Sequence, residues 1–529
     1  MKTFLLILGA LGASLIYGVS SATAMPASSA IVAEGKLKGR LDGTSGVRVF
    51  RGVPFAAPPI ADLRWVEPQP AAKWKGTRDA TKFAPRCMQR PLFSDMQFRS
   101  PGISEDCLYL NVWLPPRERR PPKQGYPVLL YFYGGGFDAG DSSEKRYDGA
   151  SLARRGIVVV TANYRLDVFG WLAHPELTAT SPHHSSGNYG LLDQIAALKW
   201  VRRNIPAFLG DPTHITVGGE SAGSMSVSAL MVSPLSRGLI RGAIGESGAL
   251  MQKWSPPRRE TAEREGVAFA TGLGAPALSQ LRAMPADRLL AARDKAGNIS
   301  TGIIIDGYAL TEAPSVTFEH GHAAHVPLLV GSNSQEAAAS AVIGDGSPTL
   351  ANYRAGLART LGDKADAVFA LYPAHSDDEV MGAATALASD DFLALPTWKW
   401  FDLQRRTGAP VYLYLFARVR PPSVTDISTR SKEWGAVHSA EIEYALGNLD
   451  VNPLYRWAPD DRLVSATMTR YWANFVKTGN PNGAGLPSWA RASIDPTKIR
   501  RQIIDVHSKS VPFVEQERYQ RGESLVYMH

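Results

Sequence analysis

Short runs of β-branched and aromatic residues recur along the chain, separated by stretches whose apolar positions fall at helical spacing. Val47-Arg48-Val49-Phe50, Leu108 to Trp113, Val128 to Tyr133, Ile157 to Thr161, Ile215-Thr216-Val217, Val326 to Val330 and Val411 to Phe416 predict strands. Several are apolar without alternation, the pattern of strands covered on both faces. Leu191, Leu192, Ile195, Leu198, Val201 and Ile205 recur at helix period, with Lys199, Arg202 and Arg203 on other positions. Leu463 to Val476 repeats that pattern until Gly479 and Pro481 end it. Strand–helix alternation of this kind predicts an α/β fold with a mainly parallel sheet between helical layers. The intervals from about Trp254 to Ala324 and from Thr349 to Arg406 are helix-rich without clear strands. They read as insertions above the sheet, walling a substrate gorge.

The amino terminus has a different character. Lys2 is followed by an almost wholly apolar run from Phe4 to Val19, and then by the small-x-small triplet Ala22-Thr23-Ala24. This is the pattern of a cleaved export signal over residues 1–24, leaving a mature chain of residues 25–529 in a secreted or periplasmic location. The run is short of the about 20 residues a spanning helix needs, and no later stretch approaches that length, so no stable membrane insertion is expected. Apolar residues make up 44% of the sequence and charged residues 20%, which are ordinary globular values. The formal charge of +8 comes from Lys and Arg that are scattered, with short clusters at Arg117–Lys123 and Arg500–Arg501. A nucleic-acid protein gathers such charge in a stripe interleaved with exposed aromatics, so no nucleic-acid partner is expected and the clusters read as solvated surface. The two cysteines, Cys87 and Cys107, read in an exported chain as one structural disulfide worth about 3 kcal/mol. Two thiols without flanking His make a poor zinc site, and no metal or cofactor is expected.

The densest chemical signal is Ile215-Thr216-Val217-Gly218-Gly219-Glu220-Ser221-Ala222-Gly223, a strand running into Gly-x-Ser-x-Gly with a helix-capable stretch behind it. In such an elbow the Ser occupies a sharp, strained turn, and side chains on the flanking glycine positions would clash. Upstream, the strand ending at Tyr133 runs into Gly134-Gly135-Gly136-Phe137, where small residues let backbone N–H groups approach a ligand. The amides of Gly135, Gly136 and Ala222 are the candidate donors for an oxyanion hole.

Taken in order, Ser104 to Val112, Tyr133 to Phe137, Asn163-Tyr164-Arg165, Gly187 to Gln194 and the elbow resemble the type B carboxylesterase family, which includes cholinesterases, bile-salt-activated lipase and bacterial esterases. The resemblance extends from about Ala33 to Asn482 and beyond. It implies the α/β-hydrolase fold as one large unit, and hydrolysis of small-molecule carboxylic esters through an acyl-enzyme. It also implies that Cys87 and Cys107 form the family's first disulfide, and that Arg64–Glu105 and Arg165–Asp193 are buried ion pairs. Glu220 resembles the family's gorge glutamate.

In α/β-hydrolases the triad follows the chain order nucleophile, acid, base. After Ser221, Glu336 matches the family's triad glutamate, at the end of a strand and loop. The next residue is Ala337 where the family usually has Gly, which bears on the loop's geometry. Four histidines follow: His375, His438, His507 and His529. Gly435 to Tyr444 matches the family's segment around the base, which selects His438. His375 lies in what reads as an exposed helix connection. The imidazole of His438 would take the Ser221 proton and return one to the leaving alcohol, with Glu336 fixing its tautomer.

For substrate, the loop between the two cysteines carries no Trp, so the cation–π capture of choline used by cholinesterases is unsupported. Trp254 lines an acyl pocket or belongs to the core. A general bacterial-type carboxylesterase is the expected activity. Mycotoxin esterases that cleave tricarballylic esters and lipases of the same fold are the alternatives. A further alternative is an adhesion protein of the family that has lost its nucleophile, against which Ser221, Glu336 and His438 are all present.

Overall fold

The structure is a computed structural model that describes residues 28–43, 45–293, 299, 301–424 and 434–527. The leader read in residues 1–24 and His529 lie outside the described residues. Eleven strands form one sheet. In chain order they are β1 (Arg40–Leu41), β2 (Arg48–Pro54), β3 (Tyr109–Leu114), β4 (Tyr126–Phe132), β5 (Val158–Ala162), β6 (Gly210–Glu220), β7 (Gly242–Glu246), β8 (Leu328–Asn333), β9 (Val411–Phe416), β10 (Arg500–Ile504) and β11 (Lys509–Pro512). Their spatial order is β11-β10-β9-β8-β7-β6-β4-β5-β3-β2-β1. The run from β5 through β4 and on to β10 is parallel, and antiparallel pairs extend it at both ends.

The apolar runs become central strands because both faces are covered. Every residue of β5 and of β8 is buried. Helices Tyr189–Asn204, Ala222–Val232, Leu395–Arg406 and Pro459–Thr478 pack on the sheet. The last of these ends where its sequence says it should, on Gly479 in the left-handed conformation. β4 has β5 on one side and β6 on the other. The chain therefore reverses its direction of winding there, and the loops leaving β4 and β6 open side by side at the carboxyl edge, where α/β folds place their ligands.

Two differences from the sequence pattern have physical reasons. The strand β7, Gly242-Ala243-Ile244-Gly245-Glu246, was not among the predicted ones, since two glycines and a charge interrupt its apolar pattern. Its Gly245 faces Trp400, and a Cβ placed there would stand 2.2 Å from the indole. The glycine is a notch for that ring. Correspondingly, helix Leu395–Arg406, which carries Trp400, belongs to the layer covering β8 and β9 and is not part of an insertion above the sheet. The rest of 349–406 and the interval 254–324 are helical as expected, through Arg259–Gly272, Leu278–Ala283, Ala286–Ala292, Pro314–Glu319, Leu350–Leu361, Ala365–Leu371 and Asp377–Ser389.

Long-range ties hold the upper loops to this frame. Cys87 and Cys107 are bonded, with both side chains buried. Arg64 makes a bidentate pair with Glu105, both contacts at 2.6 Å, and its Nη1 donates to the carbonyls of Leu281, Arg282 and Met284. Arg165 pairs with the fully buried Asp193 through two contacts of 2.8 Å. Among the described residues no helix is long and apolar enough to cross a membrane.

The notch gives a direct test of the packing. Gly245→Ala forces Trp400 or the strand to move, and overpacking of this kind costs about 1–3 kcal/mol. A urea-unfolding midpoint equal to that of the parent would show that the ring has room to spare.

Candidate active site

Ser221 terminates β6 and begins helix Ala222–Val232, with φ 56° and ψ −121°. A non-glycine residue is strained there, and the structure shows why it is held. A Cβ on Gly223 would stand 2.1 Å from the carbonyl oxygen of Phe132, and one on Gly219 would stand 2.5 Å from the backbone of Gly223. Only glycine at both positions lets the turn close against β4. A Cβ on Gly134 would meet Ser221 Cβ at 2.9 Å, so the glycine-rich loop lies directly on the serine. Gly135 and Gly136 both have positive φ, of 109° and 65°, and the space at Gly136 is open. Ala222 opens the helix, where backbone N–H groups lack intrahelical acceptors.

The other two residues arrive from neighbouring strands. Glu336 stands three residues beyond β8, and His438 lies on the chain that follows β9. A small clasp brings the two loops together. Gln335 bridges Val437, its N–H donates to the Ala436 carbonyl at 2.8 Å, and Ser334 Oγ accepts from the Ala436 N–H at 2.8 Å. His438 Nε2 then lies 3.0 Å from Ser221 Oγ, and its Nδ1 lies 2.7 Å from Glu336 Oε2. The other oxygen of Glu336 accepts from Ser247 Oγ and from the Asn333 N–H, each at 2.6 Å. Ala337 is accommodated without a positive φ, and Ser389 Oγ accepts from the N–H of Glu336 at 3.0 Å.

Below these groups lies a set of buried carboxyls. Glu220, Glu246 and Glu441 are at most 2% exposed. Glu220 Oε1 is 3.3 Å from His438 Nε2, on the same nitrogen that faces Ser221. Glu441 accepts from Asn333 Nδ2 at 2.5 Å, and Glu246 accepts from the Tyr131 hydroxyl at 3.1 Å. Burial drives the Glu220 carboxyl up to about 8. Burial, with the charge of Glu336 beside it, drives Glu441 up to about 7. Burial also holds Glu246 well above the usual carboxylate range. For His438 burial alone would favour the neutral ring, but the charges of Glu220 and Glu336 override it and raise the imidazole to about 9.

Of the residues singled out by sequence, Ser221, Glu336, His438 and Glu220 converge, with Gly135, Gly136 and Ala222 around the serine. Trp254 is one layer out. Its ring packs on Phe392, and its Nε1 donates to the Phe392 carbonyl at 2.6 Å, while Phe392 itself stands edge-on to His438 at 5.7 Å. His375 is exposed between two helices, as expected. Sequence reasoning missed Phe392, Ser247, Glu246 and Glu441. Of these, Glu441 lies within the Gly435 to Tyr444 segment, but a lone acid beside a motif carries no signal of burial. A grouping with metal-ligand character, Glu312 with His320 and His322, shares no residue with this site.

A mainly parallel sheet whose sixth strand delivers a strained serine to a helix amino terminus defines an α/β-hydrolase. Residues 27–521 match the carboxylesterase family model, and the chain belongs to that family. It is a carboxylic ester hydrolase. Among its relatives are fumonisin B1 esterase of Sphingopyxis macrogoltabida, 37% identical over 86% of this chain and 83% of the relative, and carboxylesterase 5A of Canis lupus familiaris, 34% identical over 96% and 94%. A solved PNB esterase structure superposes with a TM-score of 0.77 at 32% identity, covering 93% of this chain and 99% of the other.

The buried acids make stability depend on pH in a defined direction. Glu220, Glu441 and His438 all hold protons more tightly when folded than at their ordinary values of 4.5, 4.5 and 6.5. The folded state therefore binds more protons than the unfolded one, and stability falls as pH rises between about 4.5 and about 9. The thermal midpoint is expected to be higher near pH 5.5 than near pH 9, with Glu441→Gln flattening the slope. A midpoint that climbs with pH over this range would contradict the assignment.

Proposed function

We propose that the chain hydrolyses esters through Ser221 as nucleophile, His438 as general base and acid, and Glu336 as the group that orients and stabilises the imidazolium. The observation that carries this reading is the pair of contacts on His438, 3.0 Å to Ser221 Oγ and 2.7 Å to Glu336 Oε2. Ser221 Oγ attacks the ester carbonyl carbon while its proton passes to His438 Nε2. The oxyanion that forms is received by the amides of Gly135, Gly136 and Ala222, where each such donor is worth roughly a hundredfold or more in rate. Collapse expels the alcohol, which takes the proton from Nε2. Water then repeats the sequence on the acyl-serine and releases the acid. Glu220 faces the same Nε2 and, when ionised, adds to the stabilisation of the imidazolium.

The reading extends to export of the mature chain as one folding unit from about residue 25, into the periplasm or beyond. The leader pattern of residues 1–24 supports it, and so does the Cys87–Cys107 bond, which suits an oxidising compartment. As a second reading of the substrate, the 37% identity to fumonisin B1 esterase and the net charge of +8 favour esters of polycarboxylic acids such as tricarballylic acid. Release of the free acid from a tricarballylic ester, compared with release from a neutral short-chain ester, separates this from a general carboxylesterase.

Ser221→Ala is expected to lower kcat on p-nitrophenyl acetate by about a million-fold. A fluorophosphonate adduct should map to the Ser221 peptide, and an adduct elsewhere in fully active protein would end the assignment. Because the base must be neutral to accept a proton, Glu220→Gln, which removes a charge that raises His438, is expected to move the acidic limb of the kcat/KM profile to lower pH. An unmoved limb would remove Glu220 from the proton balance of His438.

A further inference from the structure

The scattered cations of the sequence gather at the edge of the sheet opposite Ser221. Strands β4, β6 and β7 begin there, at Tyr126, Gly210 and Gly242. Beside them lies a cavity of about 510 Å³ whose lining includes Arg119, Arg120, Lys123, His214 and Lys477. A second, smaller cavity of about 140 Å³ shares His214 and Lys477 and adds Arg241. His214 and Lys477 thus stand in the wall between two hollows, both half-buried, with the arginines around the rims.

None of these cations is directly ion-paired. Among the described residues no carboxylate lies within ion-pair distance of Arg119, Arg120, Lys123, Arg241 or Lys477. The acid that does line the larger cavity, Asp211, spends Oδ1 on the N–H and hydroxyl of Thr213, at 2.8 and 2.7 Å. The repulsion registers on Lys477, which burial and the charges of Arg119 and Arg155 hold below the ordinary lysine range. The lining is also shaped. A Cβ at Gly156 would stand 3.0 Å from Arg119 Nη1, so the glycine leaves the guanidinium its room. His214 Nε2 lies 3.0 Å from the Val476 carbonyl, which only accepts, so that nitrogen carries the proton. A second proton on the ring would add a donor at Nδ1.

We propose that this basic hollow is a binding site for a compact, multiply charged phosphate-class anion. Guanidinium forks match phosphate oxygens in pairs, and ammonium groups add point charge. An anion carrying several charges relieves repulsion among several cations at once, which a single carboxylate does not. The source is either a soluble oligophosphate or the phosphate headgroups of an anionic lipid surface. Because His214 lies on β6 and Ser221 follows at that strand's far end, the two stand roughly 20 Å apart by strand rise. Occupancy should leave hydrolysis untouched, and an attached enzyme would keep its active-site mouth facing away from the anion.

The test is calorimetric titration of the full chain with inorganic tripolyphosphate, at low salt and against sodium chloride of matched ionic strength. Wild type is expected to bind saturably and to gain thermal stability from tripolyphosphate beyond that from chloride. Lys477→Gln and Arg119→Gln should each weaken binding roughly tenfold or more, while Lys477→Arg retains it. All three variants should keep wild-type turnover on p-nitrophenyl acetate, and Lys477→Gln, relieved of repulsion, should melt no lower than wild type in chloride alone. Sedimentation with phosphatidylglycerol–phosphatidylcholine vesicles, against phosphatidylcholine alone, distinguishes the sources. Binding lost in the same variants there assigns the lipid headgroup, and binding of tripolyphosphate alone assigns a soluble anion. Equal effects of chloride and tripolyphosphate with no vesicle binding, or undiminished binding in both glutamine variants, would overturn the site.

Discussion

One steric constraint organises the upper half of this molecule. Ser221 has a backbone conformation that few side chains tolerate, and it stays there because the turn has nowhere else to go. Phe132 closes on Gly223 from one side, and Gly134 rests on Ser221 from the other. The same squeeze that strains the serine sets the glycine-rich loop beside it. Ser221 and the glycine-rich loop, the proposed nucleophile and oxyanion donors, are therefore positioned by a single packing arrangement between β4 and β6, and their adjacency follows from the reversal of winding at β4. A change that relaxed the turn would disperse both.

Proton holding is the second theme. A carboxyl moved out of water favours its neutral form, and here three buried carboxyls sit around one histidine. Glu336 has partners on both oxygens, with Ser247 and Asn333 on one and His438 on the other. Glu220 turns one oxygen to His438 Nε2, 3.3 Å away. Burial thus pushes Glu220 and Glu441 toward holding a proton near neutral pH.

Much of this is legible in the sequence. Short β-branched and aromatic runs predicted seven strands of the sheet, and several of these runs are continuously apolar because strands covered on both faces have no reason to alternate. Gly-x-Ser-x-Gly and the triple glycine could be read because sterics leave no other residue types at those turns. His438 was separable from His375 only through the motif around it, since a lone histidine carries little positional information. β7 escaped in part because its Gly245 serves a neighbour, Trp400, that lies more than 150 positions away in the chain. Ser247, Glu246 and Glu441 escaped for a related reason. Burial is a property of the assembled fold, and nothing local distinguishes a buried glutamate from a solvated one. The basic hollow is the same case with the sign of the charge reversed: its cations come from segments more than 350 positions apart, and only the sheet brings them together.

The fit of Trp400 into the space above Gly245 also bears on how such a chain can vary over time. A methyl group arriving at 245 meets the ring, while a smaller residue arriving at 400 opens a void, so either replacement by itself is penalised. Descendants that abandon this arrangement must alter both positions nearly together, or pass through a weakened ancestor. The two sites should therefore be inherited as a unit, even though neither one touches the ester.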